Sequence, residues 1–318
     1  MKVIIICLLL VLVSLLNCSW GFFAHMRINQ LAVLTLPSGM SRFYKANSSY
    51  VTEHATDADK RRYADTAEAP RHYLDVELYA KEIDSIPRKW EDAVQQYGLH
   101  KLTKNGILPW QIQRTYYKLV NAFKDRDSIR ILIHSAYLGH YIGDAHVPLH
   151  TTANHNGQLT NQVGIHAFWE SRLPELFATQ YNFLVGRAQY IDHPLTAAWK
   201  IVKHTHGLVD STLKLEAQLS KTFPAYRKYS YSKRKGVVVK QYATAYARAY
   251  HEQMEGMVEQ QMRAAVLAIG CFWFSAWVDA GQPTLENLVK RKPDLADRVL
   301  DSVQNHRFKT GNIIGREN

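Results

Sequence analysis

From Trp20 onward, apolar residues recur at spacings of three and four almost without interruption, and the β-branched alternation that strands require is nearly absent. The pattern is clearest over residues 241–278, where Tyr242, Tyr246, Tyr250, Met254, Met262, Val266, Ile269 and Phe272 mark one long amphipathic helix, or two joined near Gly270. Helical periodicity also runs through 24–36, 79–97, 108–124, 127–144, 166–178, 195–220 and 284–303. With 318 residues, 47% of them hydrophobic, the chain has enough apolar mass to close these helices around a core. The expectation is a single all-α domain over 20–318, with the Met and aromatic stripe of 241–278 serving as core rather than as a cofactor box.

The first residues read as a targeting segment. Lys2 precedes a run from Val3 to Leu16 that is apolar except for Ser14, and small polar residues Asn17-Cys18-Ser19 follow. That is the layout of a secretory signal peptide, 1–19, with cleavage after Ser19; the run is short for an anchor helix, which needs about 20 apolar residues. The alternative is lipidation at Cys18, since Leu15-Leu16-Asn17-Cys18 loosely matches a lipoprotein box. Cleavage after Ser19 predicts a secreted or periplasmic protein that starts at Trp20 and retains Cys271 alone, so no internal disulfide forms.

Charge and histidine content narrow the chemistry. Thirty-nine Lys+Arg against 28 Asp+Glu leave a net charge of +11, which favours anionic partners: nucleic acid, phospholipid headgroups, phosphorylated substrates or an anionic membrane surface. A basic stretch with two tyrosines runs from Arg227 through Lys233 to Lys235; its default reading is a solvated surface hairpin, its alternative a loop that meets phosphate or membrane. Fifteen histidines are a pointed excess, since imidazole is both the commonest metal ligand and the usual acid–base group.

Their spacing carries the argument. In His140-Tyr141-Ile142-Gly143-Asp144-Ala145-His146-Val147-Pro148-Leu149-His150, the residues His140 and Asp144 are one helical turn apart and share a face, while Pro148 ends the helix and lets His150 project from the next turn. His166 and Glu170 repeat the i, i+4 imidazole–carboxylate spacing at the start of another helix, beyond a polar surface loop over 151–164. So many titratable groups brought together would carry a heavy desolvation cost without a cation among them. The nitrogen and oxygen donors suit catalytic zinc, with manganese or iron left open by ligand type alone.

These motifs resemble those of the zinc-dependent phospholipase C and S-one/P-one nuclease superfamily, all-helical trinuclear zinc phosphodiesterases. The family pattern His-x-x-Gly-Asp-x-His-x-Pro-Leu-His is matched by His140, Gly143, Asp144, His146, Pro148, Leu149 and His150, and Arg71-His72-Tyr73-Leu74-Asp75 is similar to its His-aromatic-x-Asp element. The resemblance implies three Zn2+ ions: one held by His72, His140, Asp144 and an upstream Asp, one by the amino terminus of Trp20 with His25 and a bridging Asp144, and one by His150, His166 and Glu170. For the upstream ligand and general base, Asp57 has the spacing from His72 found in the nuclease branch, whereas Asp59 reproduces a local Asp-x-x-Arg pattern through Arg62, whose guanidinium would meet the substrate phosphate. Asp57 is the preferred ligand. His54 and His134 match no family ligand, and His146 matches the motif as a hydrogen-bonding rather than ligating residue.

The implied activity is hydrolysis of phosphodiesters by zinc-activated water, with Asp57, Asp144 and Arg62 in the machinery. Glu170 resembles the phospholipase branch, and the loop Asn154-His155-Asn156-Gly157-Gln158 lacks the Gly-Gly-Asn element of the nucleases, which leans the reading to phospholipid. The positive charge suits single-stranded DNA or RNA as well as lipid. A zinc-stabilised secreted binding protein without turnover is the alternative of another class, and no protein partner is implied.

Overall fold

The computed structural model of the chain describes residues 22–234 and 237–286, together with 288, 302, 303, 306–308 and 310. Residues 1–19, Cys18, Trp20 and Lys235, and most of the helix predicted over 284–303, lie outside them. The described chain is helical nearly throughout: α1 (Phe22–Ala32), α2 (Ser38–Ala46), α3 (Ser48–Glu53), α4 (Asp57–Arg61), α5 (Val76–Tyr79), α6 (Trp90–Asn105), α7 (Leu108–Lys124) and α8 (Ser128–Ala145) come first. There follow α9 (Ile165–Ala167), a π turn over Phe168–Arg172, α10 (Leu173–Phe177), α11 (Pro194–His206), α12 (Val209–Thr222), the strands β1 (Tyr229–Arg234) and β2 (Val237–Tyr242), α13 (Thr244–Gln253) and α14 (Met257–Asp279). The all-α class expected from the periodicity is the one observed.

The central layer is α8 packed on α7, with α14 lying across α1, α7 and α8. Asp127 starts α8 by accepting hydrogen bonds from the N–H groups of Ile129 and Arg130, both at 3.1 Å, which satisfies two of the orphan donors of the first turn. Ile131, Ala136, Leu138 and Ile142 bury its apolar face, and Trp273 of α14 donates from Nε1 to the Ser135 carbonyl at 3.0 Å. Tyr246, Tyr250, Met254, Met262 and Phe272 are all buried, so the Met and aromatic stripe is core.

The departures from the periodicity reading are local. The long segment 241–278 breaks at Gly256, in the left-handed region with φ +82°, and not at Gly270, which stays inside α14. Gly270 is needed there for contact rather than for a turn, since a Cβ would meet Thr35 Oγ1 at 1.9 Å. The helix expected over 79–97 dissolves into α5, a short turn at Ile83–Ser85 and the first part of α6, which kinks at Gly98 (φ +72°). The basic stretch forms the surface hairpin expected of it, antiparallel, with Tyr229 opposite Tyr242, Tyr231 opposite Lys240 and Lys233 opposite Val238. Cys271 is half-buried, and the Gln189 N–H donates to its sulfur at 3.2 Å.

Candidate metal centre

One end of α8 collects side chains from elements far apart in the chain. α8 itself supplies His140 and Asp144; it stops at Ala145, and the short turn Pro148–Thr151 presents His150. α1 brings His25 alongside, so close that a Cβ on Gly143 would lie 2.9 Å from His25 Nδ1 and 2.8 Å from Ile28 Cδ1. The glycine of the motif is therefore a packing requirement. The turn Ala69–His72 carries His72, and its chain is locked to the opposite wall by Leu74 N–H donating to the His150 carbonyl at 2.9 Å. His166 is the middle residue of the three-residue α9, and the π turn after it aims Glu170 back, placing the carboxylate 2.8 Å from His166 Nε2.

Among the described residues, three groups of ligand-type atoms result, each with its atoms within 4.8 Å of one another: His25, His140 and Asp144; Asp59, His72 and His140; and His150, His166 and Glu170. Asp144 stands at the centre. Its Oδ2 lies 3.0 Å from His72 Nδ1 and 3.3 Å from His140 Nε2, while Oδ1 lies 3.3 Å from His25 Nε2 and 3.8 Å from His150 Nε2. Glu170 makes a second bridge, with Oε1 3.1 Å from His25 Nε2 and Oε2 3.4 Å from His150 Nε2. The outer ring nitrogens are tied down: His140 Nδ1 donates to the Ala55 carbonyl at 2.8 Å and His166 Nδ1 to the His155 carbonyl at 3.2 Å, which leaves Nε2 of each as the inward lone pair.

The electrostatics favour a cation here. Burial alone would push the Asp144 carboxyl up, but His140 and His150, with hydrogen bonds from His25 and His72, hold it well below the usual carboxylate range. Burial of Glu170 is outweighed in the same way by His150, His166 and His25. Burial would lower His25, yet hydrogen bonds to Asp144 and Glu170 raise it well above its ordinary value, and Asp144 and Glu68 raise His72 to about 9 against the same penalty. Burial, by contrast, lowers His140 to about 4. A field that retains protons on His25 and His72 is one that a divalent cation relieves by taking their place. The donors are imidazole nitrogens and carboxylate oxygens, all buried but Asp59, with the inward lone pairs of His140 and His166 set by backbone partners, a set that fits zinc.

The structure differs from the expectation at Asp57. Its carboxylate is occupied by His54 Nδ1 at 2.5 Å and Lys60 Nζ at 2.6 Å, and it joins none of the three groups. Asp59 is the upstream acid that reaches the centre, with Oδ1 3.7 Å from His72 Nδ1 and 3.8 Å from His140 Nε2. Arg62 is placed against Asp59 at 3.6 Å with its side chain only 6% exposed, so it has a carboxylate partner instead of an open face toward substrate. His146 Nδ1 donates to the Ile142 carbonyl at the helix end, and His54 and His134 stay outside the ligand groups, as expected. Trp20 lies outside the described residues, two positions before α1 begins.

Glu68 is the residue that the motifs did not single out. Fully buried, it accepts from Arg61, Arg71 and Tyr141 and stands 3.4 Å from His72 Nε2. The signal was present, because Glu68 and His72 have the same i, i+4 carboxylate–imidazole spacing as the two recognised pairs.

The family model for zinc dependent phospholipase C matches residues 24–233, and the chain belongs to that family. It is thus a zinc-dependent hydrolase acting on phosphate esters. None of the curated proteins compared with the chain matches it.

Proposed function

We propose, from membership of that family, that the mature protein is a secreted three-zinc phosphodiesterase that acts on phospholipid as a phospholipase C. The observation that carries the reading is the convergence of three ligand groups on the central Asp144, which supports three ions held close enough to act on one phosphate. His72, His140, Asp144 and Asp59 would hold one zinc; His25 and Asp144, with the amino terminus at Trp20 if cleavage follows Ser19, a second; His150, His166 and Glu170 a third. Glu170 Oε1 near His25 would add a contact between the second and third sites.

Zinc, when bound, supplies Lewis acidity that makes water a nucleophile near neutral pH and offsets charge building on phosphorus. The chain's own residues do the rest. Asp59, the most exposed of the acids in the centre at 20%, faces the approach and takes the proton of the attacking water on its carboxylate. Arg62 keeps that carboxylate oriented. Asp144 and Glu170, both buried, fix the spacing of the histidines and exclude bulk water from the floor of the site.

The test is hydrolysis by the secreted full-length protein of monomeric short-chain phosphatidylcholine and of single-stranded DNA and RNA, with chelator and with zinc restored. Zinc-dependent release of phosphocholine without nucleotide release is the expected outcome. Nucleotide release alone would assign the nuclease branch, which the net charge of +11 also suits, and zinc-dependent folding with no turnover on any phosphate ester would leave a binding protein. Amino-terminal sequencing that starts anywhere but Trp20 would remove the terminal ligand from the scheme.

A further inference from the structure

The β1–β2 hairpin stands out because its exposed face mixes two chemistries. Residues 221–242 contain seven Lys and Arg and no Asp or Glu. In the observed register, Tyr231 faces Lys240 and Lys233 faces Val238, and since all four alternate in phase they lie on one face of the ribbon. Tyr231 is 69% exposed and Val238 65%, and Tyr226, at the foot of the hairpin, is 86% exposed. An isolated two-stranded ribbon is marginal, so this one is anchored at its base. Tyr242 is buried and stacks on Phe168 with ring centroids 3.9 Å apart, and Lys240 Nζ sits 3.9 Å over the Tyr229 ring. Lys233 lies four residues beyond Tyr229, so the arm reaches roughly 13 Å past its last anchored pair.

The anchor is next to the metal centre. Phe168 lies two residues from both His166 and Glu170, so the arm rises beside the third ligand group. At its foot Lys228 pairs with Glu216 at 2.9 Å, and Glu216 accepts from Gln162 at 2.6 Å. Gln162 belongs to the surface loop that exposes Leu159 and Val163 at 73% and 66%.

We propose that this hairpin is a membrane-docking arm that seats the protein on an anionic phospholipid bilayer. The idea rests on the phospholipid reading for its purpose, though its test does not. The lysines complement anionic headgroups, the tyrosines suit the interface between headgroup and acyl chain, and Val238 would enter the apolar edge. Exposed valine and leucine decide for lipid over single-stranded nucleic acid, since aliphatic groups have no π face on which bases stack. Docking by an arm beside Glu170 would bring the lipid phosphate to the site without burying the whole protein.

The experiment is co-sedimentation of the full-length protein with vesicles of pure phosphatidylcholine and of phosphatidylcholine mixed with phosphatidylserine, at low and high salt. Two double variants accompany it, Tyr231→Ser with Val238→Ser and Arg227→Glu with Lys233→Glu; these side chains are exposed, and a thermal melt confirms the fold. Wild type is expected to bind mixed vesicles in a salt-sensitive way and pure phosphatidylcholine much less, with each double variant losing about tenfold or more in partitioning. Turnover of monomeric short-chain phosphatidylcholine should be unchanged in both variants. Variants that bind like wild type, a wild type that binds neither vesicle, or an arm that binds only single-stranded DNA would each overturn the proposal. Hairpin-dependent vesicle binding without turnover of the monomeric substrate would sink the phospholipase reading and leave the docking arm standing.

Discussion

Glu68 Oε1 lies 3.4 Å from Nε2 of His72, on the opposite side of the ring from the Nδ1 that meets Asp144 at 3.0 Å. A carboxylate behind a ligating imidazole fixes its orientation and raises its basicity. Against the cost of burial, His72 and then Arg61 hold Glu68 well below the usual carboxylate range, and Arg71 pairs with the same carboxylate.

Glu68→Gln should therefore weaken retention of one zinc by roughly 10–100-fold. Competition with a chromophoric chelator reads this directly, without reference to turnover. The same change leaves Arg61 and Arg71 facing a neutral amide and should lower stability by about 2–4 kcal/mol. Zinc affinity equal to wild type would show that Glu68 serves only the fold.

The two upstream acids should separate cleanly. Asp59→Asn is expected to reduce turnover by about 100-fold or more, because it removes both a ligand and the proton acceptor. Asp57→Asn should spare most activity and cost about 1–2 kcal/mol, since Asp57 holds the turn through His54 and Lys60. Metal analysis of the two variants would reverse the assignment if only Asp57→Asn lost zinc.

Why one acid was readable and the other was not follows from local geometry. His140 with Asp144 sits on a regular helix, so i, i+4 spacing carries its juxtaposition, and the π turn after His166 still leaves Glu170 on the same side. Asp57 and Asp59 both lie in α4, a helix of five residues, where a step of two positions decides whether a carboxylate faces Lys60 or His72, and spacing from a distant histidine cannot resolve that. The basic hairpin was legible as a surface turn, but what anchors it was not. Its strands, Tyr-Ser-Tyr-Ser-Lys-Arg and Val-Val-Val-Lys-Gln-Tyr, are held by Tyr242 on Phe168 and not by an apolar alternation. Gly256 and Gly270 look alike in sequence, and only Thr35, arriving from the other end of the chain, makes the second a contact residue.

Gly143→Ala tests the packing that delivers His25. The added Cβ would press on His25 Nδ1 and Ile28 Cδ1, so α1 must shift or the side chains must leave their rotamers, at about 1–3 kcal/mol. The expected result is a lower melting temperature together with loss of about one zinc per molecule, from the group that His25 serves. A variant with unchanged zinc content would show that the centre tolerates movement of His25.

His134 offers a pH test away from the ligands. Burial, reinforced by Lys118, Arg130 and Arg61 and only partly countered by Asp127, lowers it to about 4 in the fold. The unfolded chain has an ordinary histidine near 6.5, so between about 6.5 and 4 the unfolded state binds a proton that the folded state refuses. Stability from this group is thus complete above about pH 6.5, falls as the pH drops toward 4 and levels off below. His134→Gln should flatten the difference, removing about 1–2 kcal/mol of acid destabilisation after allowance for partial exposure. Urea titrations of wild type and variant at pH 7 and pH 4.5, each saturated with zinc, measure it. Parallel pH slopes in the two proteins would mean that His134 titrates normally in the fold.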